Sequence, residues 1–171
     1  MNIALAAAGL TAIAMTATGL NWPTTRLDIH TEIEIAAPPQ AVWSVLADTG
    51  HYGDWNPYHV HVDGDLAEGA RLKVTVHKPN GNTVTVPPHV IAVEPSKRLV
   101  WGGGIPGIFK GEHTFELEPV GENCTRLVHK ETFAGLFVGF AELGTIEEGY
   151  ELMNAALKEK VEAGRDPRAC R

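Results

Sequence analysis

The chain is poor in the features that mark several common functional classes. It has only two cysteines in 171 residues, Cys124 and Cys170. Two such residues do not make a disulfide framework. Cys124 opens a predicted strand and Cys170 sits in the tail, an arrangement compatible with a reducing compartment. No CxxC pair and no Ser/His/Asp order occurs. There is no basic run, and the formal net charge is −7, which argues against nucleic acid as a partner. The glycines between Gly102 and Gly107 are not a phosphate loop: no Lys-Ser/Thr follows, and Gly104 leads into Ile105-Pro106 rather than into a helix.

Charge is also missing from residues 1–25. The stretch is apolar, but its large residues are few (Ile3, Leu5, Leu10, Ile13, Leu20) among Ala, Gly and Thr. A signal peptide normally carries a positive start and a small-residue cleavage site; neither is evident here. A weak signal peptide, a membrane anchor, a start at Met15 and a loosely helical extension all stay open. Membrane contact is expected only if residues 1–25 act as an anchor. The expected location is the cytoplasm, with export or anchoring through residues 1–25 as the alternative.

What is present reads as one globular domain. Hydrophobic content of 44% and charged content of 20% are ordinary, and a chain this long buries roughly 70% of its unfolded surface. The domain is expected over 26–164, with 165–171 as a tail. Residues 26–35 alternate, with Leu27, Ile29, Thr31, Ile33 and Ile35 on one face, so they form a first strand. Pro38-Pro39 then suits a helix start, and a short helix is expected over 40–48, with a second helix or turn over 49–58. Strands follow at 59–62, 72–76, 83–93 and 98–101; Pro87-Pro88 places the third of these at an edge or bulge. A last helix is predicted from about 145 to 163, with Ile146, Tyr150, Met153, Leu157 and Val161 as its apolar stripe.

The most informative stretch is Gly111 to Gly135. Residues 112–118 alternate, and so do 125–133, around a turn at 119–123. They predict an antiparallel hairpin with one apolar face. That face carries His113, His129 and Glu131. Either plausible register sets His113 opposite Glu131 or His129, and opposed Cβ atoms lie about 4.5–5.5 Å apart. Buried polar groups cost roughly 1–3 kcal/mol each when unpaired. The three must therefore pair with each other, with water or with a ligand.

The order strand, two helices, six strands, long helix comes with a set of motifs: IEIAAPPQAVWSVLAD (33–48), WNP (55–57), DGDLAEGARLKV (63–74), RLVWGGG (98–104), GEHTFELEP (111–119), TRLVHKETFAG (125–135) and MNAALK (153–158). Over residues 26–163 this resembles the SRPBCC superfamily, also called START-like or helix-grip, and within it the small bacterial polyketide cyclase/dehydrase-like branch. The resemblance implies an α+β helix-grip fold: a curved seven-stranded antiparallel sheet wrapped around a long C-terminal helix, with two short helices after the first strand. It also implies a deep apolar pocket between sheet and helix. His113, His129 and Glu131 would lie on the sheet side beside Trp101, Phe115 and Phe133. Tyr150, Met153 and Asn154 would face them from the helix, and Trp55 would rim the entrance.

Three uses of the histidine and glutamate cluster follow. It can be a buried hydrogen-bonded network that ties the hairpin together. It can be an acid/base pair acting on a bound carbonyl compound, which needs a base for an α-proton and an acid for the departing oxygen. A two-His, one-carboxylate metal site is geometrically open to it, but the resemblance lends that no support, and no metal or cofactor is expected. Tyr150 and Asn154, four apart, share a helix face; the plainer expectation is a core Tyr and an Asn near the surface. His51, His59, His61, His77 and His89 read as surface or turn residues. The first functional expectation is binding of a small hydrophobic ligand (lipid, isoprenoid, polyketide or aromatic). The alternatives are a cofactor-independent cyclase, aromatase or dehydratase, and a protein-partner module like the chaperone activators of the superfamily. Oligomeric state is not legible.

Overall fold

The computed structural model describes residues 25–165 and residue 170; the expectations for residues 1–24 lie outside this span. The chain runs β1 (Arg26–Ile35), α1 (Pro39–Leu46), a 3₁₀ turn (Thr49–Asp54), β2 (His59–Asp63), β3 (Lys73–His77), β4 (Thr83–Val86), β5 (His89–Glu94), β6 (Arg98–Ile105), β7 (Phe109–Gly121), β8 (Cys124–Ala134), a 3₁₀ turn (Val138–Phe140) and α2 (Ile146–Glu162). Proline at the first turn of α1 gives up an N–H that has no helical partner there.

The sheet departs from the expected count. Among the described residues eight strands form two sheets, in the orders β1-β8-β7-β6-β5 and β2-β3-β4. The single returning strand expected over 83–93 is cut in two by Pro87-Pro88, which have no N–H to give to a ladder. The two sheets are stitched at that break. Leu72 N donates to Pro88 O at 2.8 Å and Val90 N to Ala70 O at 2.9 Å. The result is still one curved antiparallel wall.

α2 lies across the concave face and buries Ile146, Tyr150, Met153, Asn154, Leu157 and Val161. Gly149 permits the close approach, because a Cβ there would overlap the Tyr58 ring. The core joins α1 (Val42, Leu46), α2 and the inward residues Leu99, Phe115, Leu117 and Leu127. Among the described residues no helix is long and apolar enough to cross a membrane.

The cysteines pair, contrary to the expectation from sequence. Cys124 and Cys170 form a disulfide across 46 residues. It ties Cys170 to the first residue of β8. The separation of 46 residues hid this, because only the fold brings the two cysteines together.

Candidate functional site

The hairpin β7–β8 sets the site. Its register pairs His113 with Glu131, Phe115 with His129, Leu117 with Leu127 and Gly111 with Phe133. All of these inner positions thus follow one alternation. The turn is tighter than expected, with Gly121 already paired to Cys124.

The two histidines meet each other. His113 Nε2 and His129 Nε2 are 2.5 Å apart, and both rings are buried. His129 Nδ1 lies 2.8 Å from Asn154 Oδ1, and Asn154 Nδ2 donates to Thr31 Oγ1 at 2.9 Å. The amide orientation fixes the tautomers in turn. Asn154 Oδ1 accepts, so His129 carries its proton on Nδ1. Its Nε2 then accepts from His113 Nε2–H, which leaves a lone pair at Nδ1 of His113. Four residues from β1, β7, β8 and α2 make one chain. Asn154 is only 2% exposed, so the expectation of a surface Asn is corrected: α2 turns that position onto the His129 ring.

Glu131 does not join the histidines. It accepts the Tyr150 hydroxyl. Burial pushes its carboxyl up to about 7, against the Tyr150 hydrogen bond, which acts the other way. The histidines cannot hold it down by charge, because they are neutral themselves. Burial lowers His129 to about 3 and His113 well below its usual value. The Tyr150 ring covers the pair, stacked on His129 at 3.9 Å and on His113 at 5.0 Å between centroids. Burial and the Glu131 charge raise its hydroxyl well above its usual value.

Beside this constellation is a cavity of about 430 Å³. Tyr58, His59, Trp101, His113, Glu131, Phe133 and Tyr150 form its inner wall, and Val74, Val76, Val84 and Ile146 its apolar sides. Gly102, Gly103, Gly104, Lys78 and Glu142 also line it, and of these Gly104 and Glu142 are exposed and mark where it opens. His129, Phe115, Met153 and Asn154 are not on the wall of this cavity. Phe115 and Met153 are core residues, 1% and 0% exposed, and His129 sits behind His113. Trp55 is not at the entrance either. It packs edge-on against Tyr52, centroids 5.1 Å apart, at the end of the first 3₁₀ turn.

His59 is the residue that the sequence pattern misplaces. It is 4% exposed, lies on the cavity wall, and stands edge-on to His113 at 5.2 Å. Its Nδ1 has no hydrogen-bond partner among the described residues, and burial lowers it to about 3. That nitrogen has no accessible surface, so the His59 ring meets the cavity without offering it Nδ1. The other four histidines of that group are exposed.

The arrangement offers little to a metal. The imidazoles spend their facing nitrogens on each other. Glu34, Cys124 and Cys170 lie close together, but both sulfurs are in the disulfide. The chemistry on offer is proton transfer and hydrogen bonding on an apolar wall.

Residues 26–164 match the family model described as polyketide cyclase / dehydrase and lipid transport. Among solved structures, the chain is similar to an aromatase/cyclase from Streptomyces, with 17% identity, a TM-score of 0.68, and coverage of 83% of this chain and 100% of the other. It is also similar to norcoclaurine synthase from Thalictrum flavum in complex with dopamine and hydroxybenzaldehyde, with 18% identity, a TM-score of 0.65, and coverage of 97% and 99%. A START superfamily protein from Mycobacterium smegmatis aligns at 22% identity with a TM-score of 0.64, over 80% of this chain and 97% of that one. At these identities the likeness establishes the helix-grip architecture alone. No curated protein sequence matches.

Proposed function

The chain belongs to the polyketide cyclase / dehydrase and lipid transport family, and we infer from its site that it binds a small hydrophobic molecule in the cavity between the sheet and α2. The observation that carries this is the composition of the cavity wall. Valines, Phe133, Trp101 and Ile146 supply apolar area, while Tyr150, Glu131, His59 and His113 converge at one end. Such a site takes an apolar body and orients it by a carbonyl or hydroxyl group. The disulfide supports an oxidising compartment, and so the exported alternative over the cytoplasm.

Uptake of N-phenyl-1-naphthylamine, a neutral fluorescent probe, tests the reading. One probe per chain is expected, displaced by hydrophobic extracts of the native host. Val84→Trp, which fills a half-buried wall position, should abolish uptake. No uptake by the unaltered protein would overturn the reading.

One observation favours a catalytic form of the same site. A carboxyl near 7 can both accept and donate a proton at neutral pH. Glu131 would take the α-proton of a β-hydroxy carbonyl compound and return it to the β-hydroxyl as the C–O bond breaks, so that a C=C bond forms and water leaves. The Tyr150 hydroxyl would be free to donate to the carbonyl oxygen once Glu131 is protonated. Glu131→Gln should then cut turnover by about 10²–10⁴ while probe binding survives. Equal loss of both would point to a structural role for Glu131.

A further inference from the structure

The histidine pair has a polarity, and that polarity is set outside the cavity. Thr31 is buried on β1, and its Oγ1 directs its proton to His129 O, 3.4 Å away. Towards Asn154 it is therefore an acceptor, and Asn154 Nδ2 donates to it at 2.9 Å. This turns Asn154 Oδ1 onto His129 Nδ1, 2.8 Å away. Each group then fixes the proton position of the next, and His113 ends with its proton on Nε2, against His129. The opposite order would turn the amide over and make Thr31 give up the His129 carbonyl.

The free end of this relay opens on the cavity. His113 meets His129 through Nε2, and its Nδ1 has no hydrogen-bond partner among the described residues. The side-chain atoms there with neither a partner nor accessible surface are Asn56 Nδ2, His59 Nδ1 and Thr145 Oγ1. His113 Nδ1 is not one of them, so it keeps some surface, and the surface that the buried ring meets is the cavity. Phe115 and Tyr150 flank the ring, with centroids 4.5 and 5.0 Å away, and hold it in this orientation. The cavity is thus offered an acceptor at a fixed place.

We propose that the cavity selects ligands bearing a hydroxyl group, a phenol or an alcohol, over their carbonyl and ether analogues, and that Asn154 sets this choice through His129 and His113. The selection rests on the ligand-binding reading above and narrows its ligand class. A hydroxyl can give its proton to His113 Nδ1. A carbonyl or ether oxygen has none to give, displaces any water from that nitrogen and leaves a buried acceptor unpaired. Sites built around a hydrogen bond to a hydroxyl discriminate against analogues that lack it. Glu131 does not make the same choice: one of its oxygens accepts from Tyr150, and a carboxyl near 7 meets donors and acceptors alike at neutral pH. Asn154 is a positioning residue, 2% exposed and off the cavity wall.

Matched naphthalenes test the selection: 2-naphthol, 2-methoxynaphthalene and 2-acetylnaphthalene, each titrated into the full chain by calorimetry at neutral pH. 2-Naphthol is expected to bind about tenfold more tightly than either of the others, although the methoxy compound is the more apolar. Glu131→Gln should keep that ratio. Asn154→Leu should bring it within about threefold, and so should Thr31→Val, which leaves the amide orientation unset and serves where the first variant fails to fold. Nitrogen-15 spectra of ring-labelled histidine read the relay directly. His113 should carry its proton on Nε2 and His129 on Nδ1, and both variants should mix the two forms. A proton on His113 Nδ1 overturns the proposal. So does a ratio lost in Glu131→Gln but kept in Asn154→Leu and Thr31→Val, which would give the hydroxyl to Glu131. Equal binding of the three compounds sinks the selection and leaves the cavity reading standing; binding of none sinks both.

Discussion

The two ends of the β7–β8 hairpin use the same strands for opposite purposes. At the turn end, Leu117 faces Leu127 and the core is closed. Thr125 Oγ1 donates to Ala37 O at 2.7 Å, Ala36 N to Glu162 Oε1 at 2.6 Å and Lys158 Nζ to Glu34 O at 2.7 Å. The disulfide ties Cys170 to Cys124 beside them. At the mouth end, Gly111 faces Phe133 and the wall stands back to leave a cavity. Between the ends lies the polar belt of His113, His129 and Glu131. Buried polar ties and the disulfide lie at one end, while the other is tied by the exposed Glu142 contacts with Lys78 and Asn80. Breaking contacts at each end should therefore give different symptoms.

The largest effect is expected at the closed end. Closing a loop of 46 residues removes unfolded-state entropy worth up to about 4 kcal/mol in the chain-entropy account. Reduction, or Cys170→Ser, should lower the unfolding free energy extrapolated from urea denaturation by an amount approaching that figure. Probe uptake at 25 °C should stay unchanged, because the mouth is not touched. A loss of uptake with no loss of stability would reverse the comparison.

Next comes the polar belt. Asn154→Leu removes both the acceptor for His129 and the donor to Thr31. It leaves a buried imidazole N–H unpaired, at a cost of about 1–3 kcal/mol. Urea denaturation with an unchanged slope would confirm a pure stability loss. Asn154→Asp, which keeps an acceptor, should recover part of it.

The belt also sets the pH response, with two opposite signs. His59 and His129 are lowered in the fold from 6.5 to about 3. The unfolded chain binds more protons between these values, so their contribution is complete above 6.5 and is lost as pH falls towards 3. Glu131 is raised from 4.5 to about 7. There the fold binds more protons, so its contribution is complete below 4.5 and is lost as pH rises through 7. Thermal midpoints should peak near pH 6 and fall on both sides. Glu131→Gln should flatten only the alkaline side, by up to about 3 kcal/mol. An alkaline fall that survives the substitution would place the raised group elsewhere.

These contrasts are unequally visible in the sequence. Strict alternation in both strands is enough to put His113, His129 and Glu131 on one face. Their polar partners are not visible, because Thr31 and Asn154 are 123 residues apart and meet only when α2 crosses β1. His59 escapes the pattern for a local reason. The β2–β3 register shifts between His59 and His61, so the bulge resets the phase and turns both His59 and Val62 inward. Asn56 helps to set that turn by accepting from the N–H groups of Tyr58 and His59 at 3.0 and 2.9 Å. Pro87-Pro88 is legible as an interruption, but not as the boundary between two sheets.

The smallest stability effect and the clearest kinetic one should come from the mouth. Glu142 is held by the tip of the β3–β4 hairpin: Lys78 Nζ lies 3.3 Å from Oε2, and Asn80 Nδ2 donates to Oε1 at 2.7 Å. Lys78 Nζ also donates to Glu142 O at 2.9 Å. Glu142→Ala removes the side-chain contacts but leaves Lys78 that carbonyl, so no cation is stranded. The carboxylate is exposed, and exposed pairs contribute about 0–1 kcal/mol. The urea midpoint should hardly move. Yet Lys78 and Glu142 both line the cavity, and Glu142 is exposed, so loosening them should speed probe dissociation severalfold. Stopped-flow release of N-phenyl-1-naphthylamine measures this. Unchanged release would mean that ligands pass elsewhere, between the glycine strand β6 and Pro87-Pro88, where even a Cβ added to Gly103 would come no closer than 3.6 Å to Pro88 and 3.7 Å to Pro87.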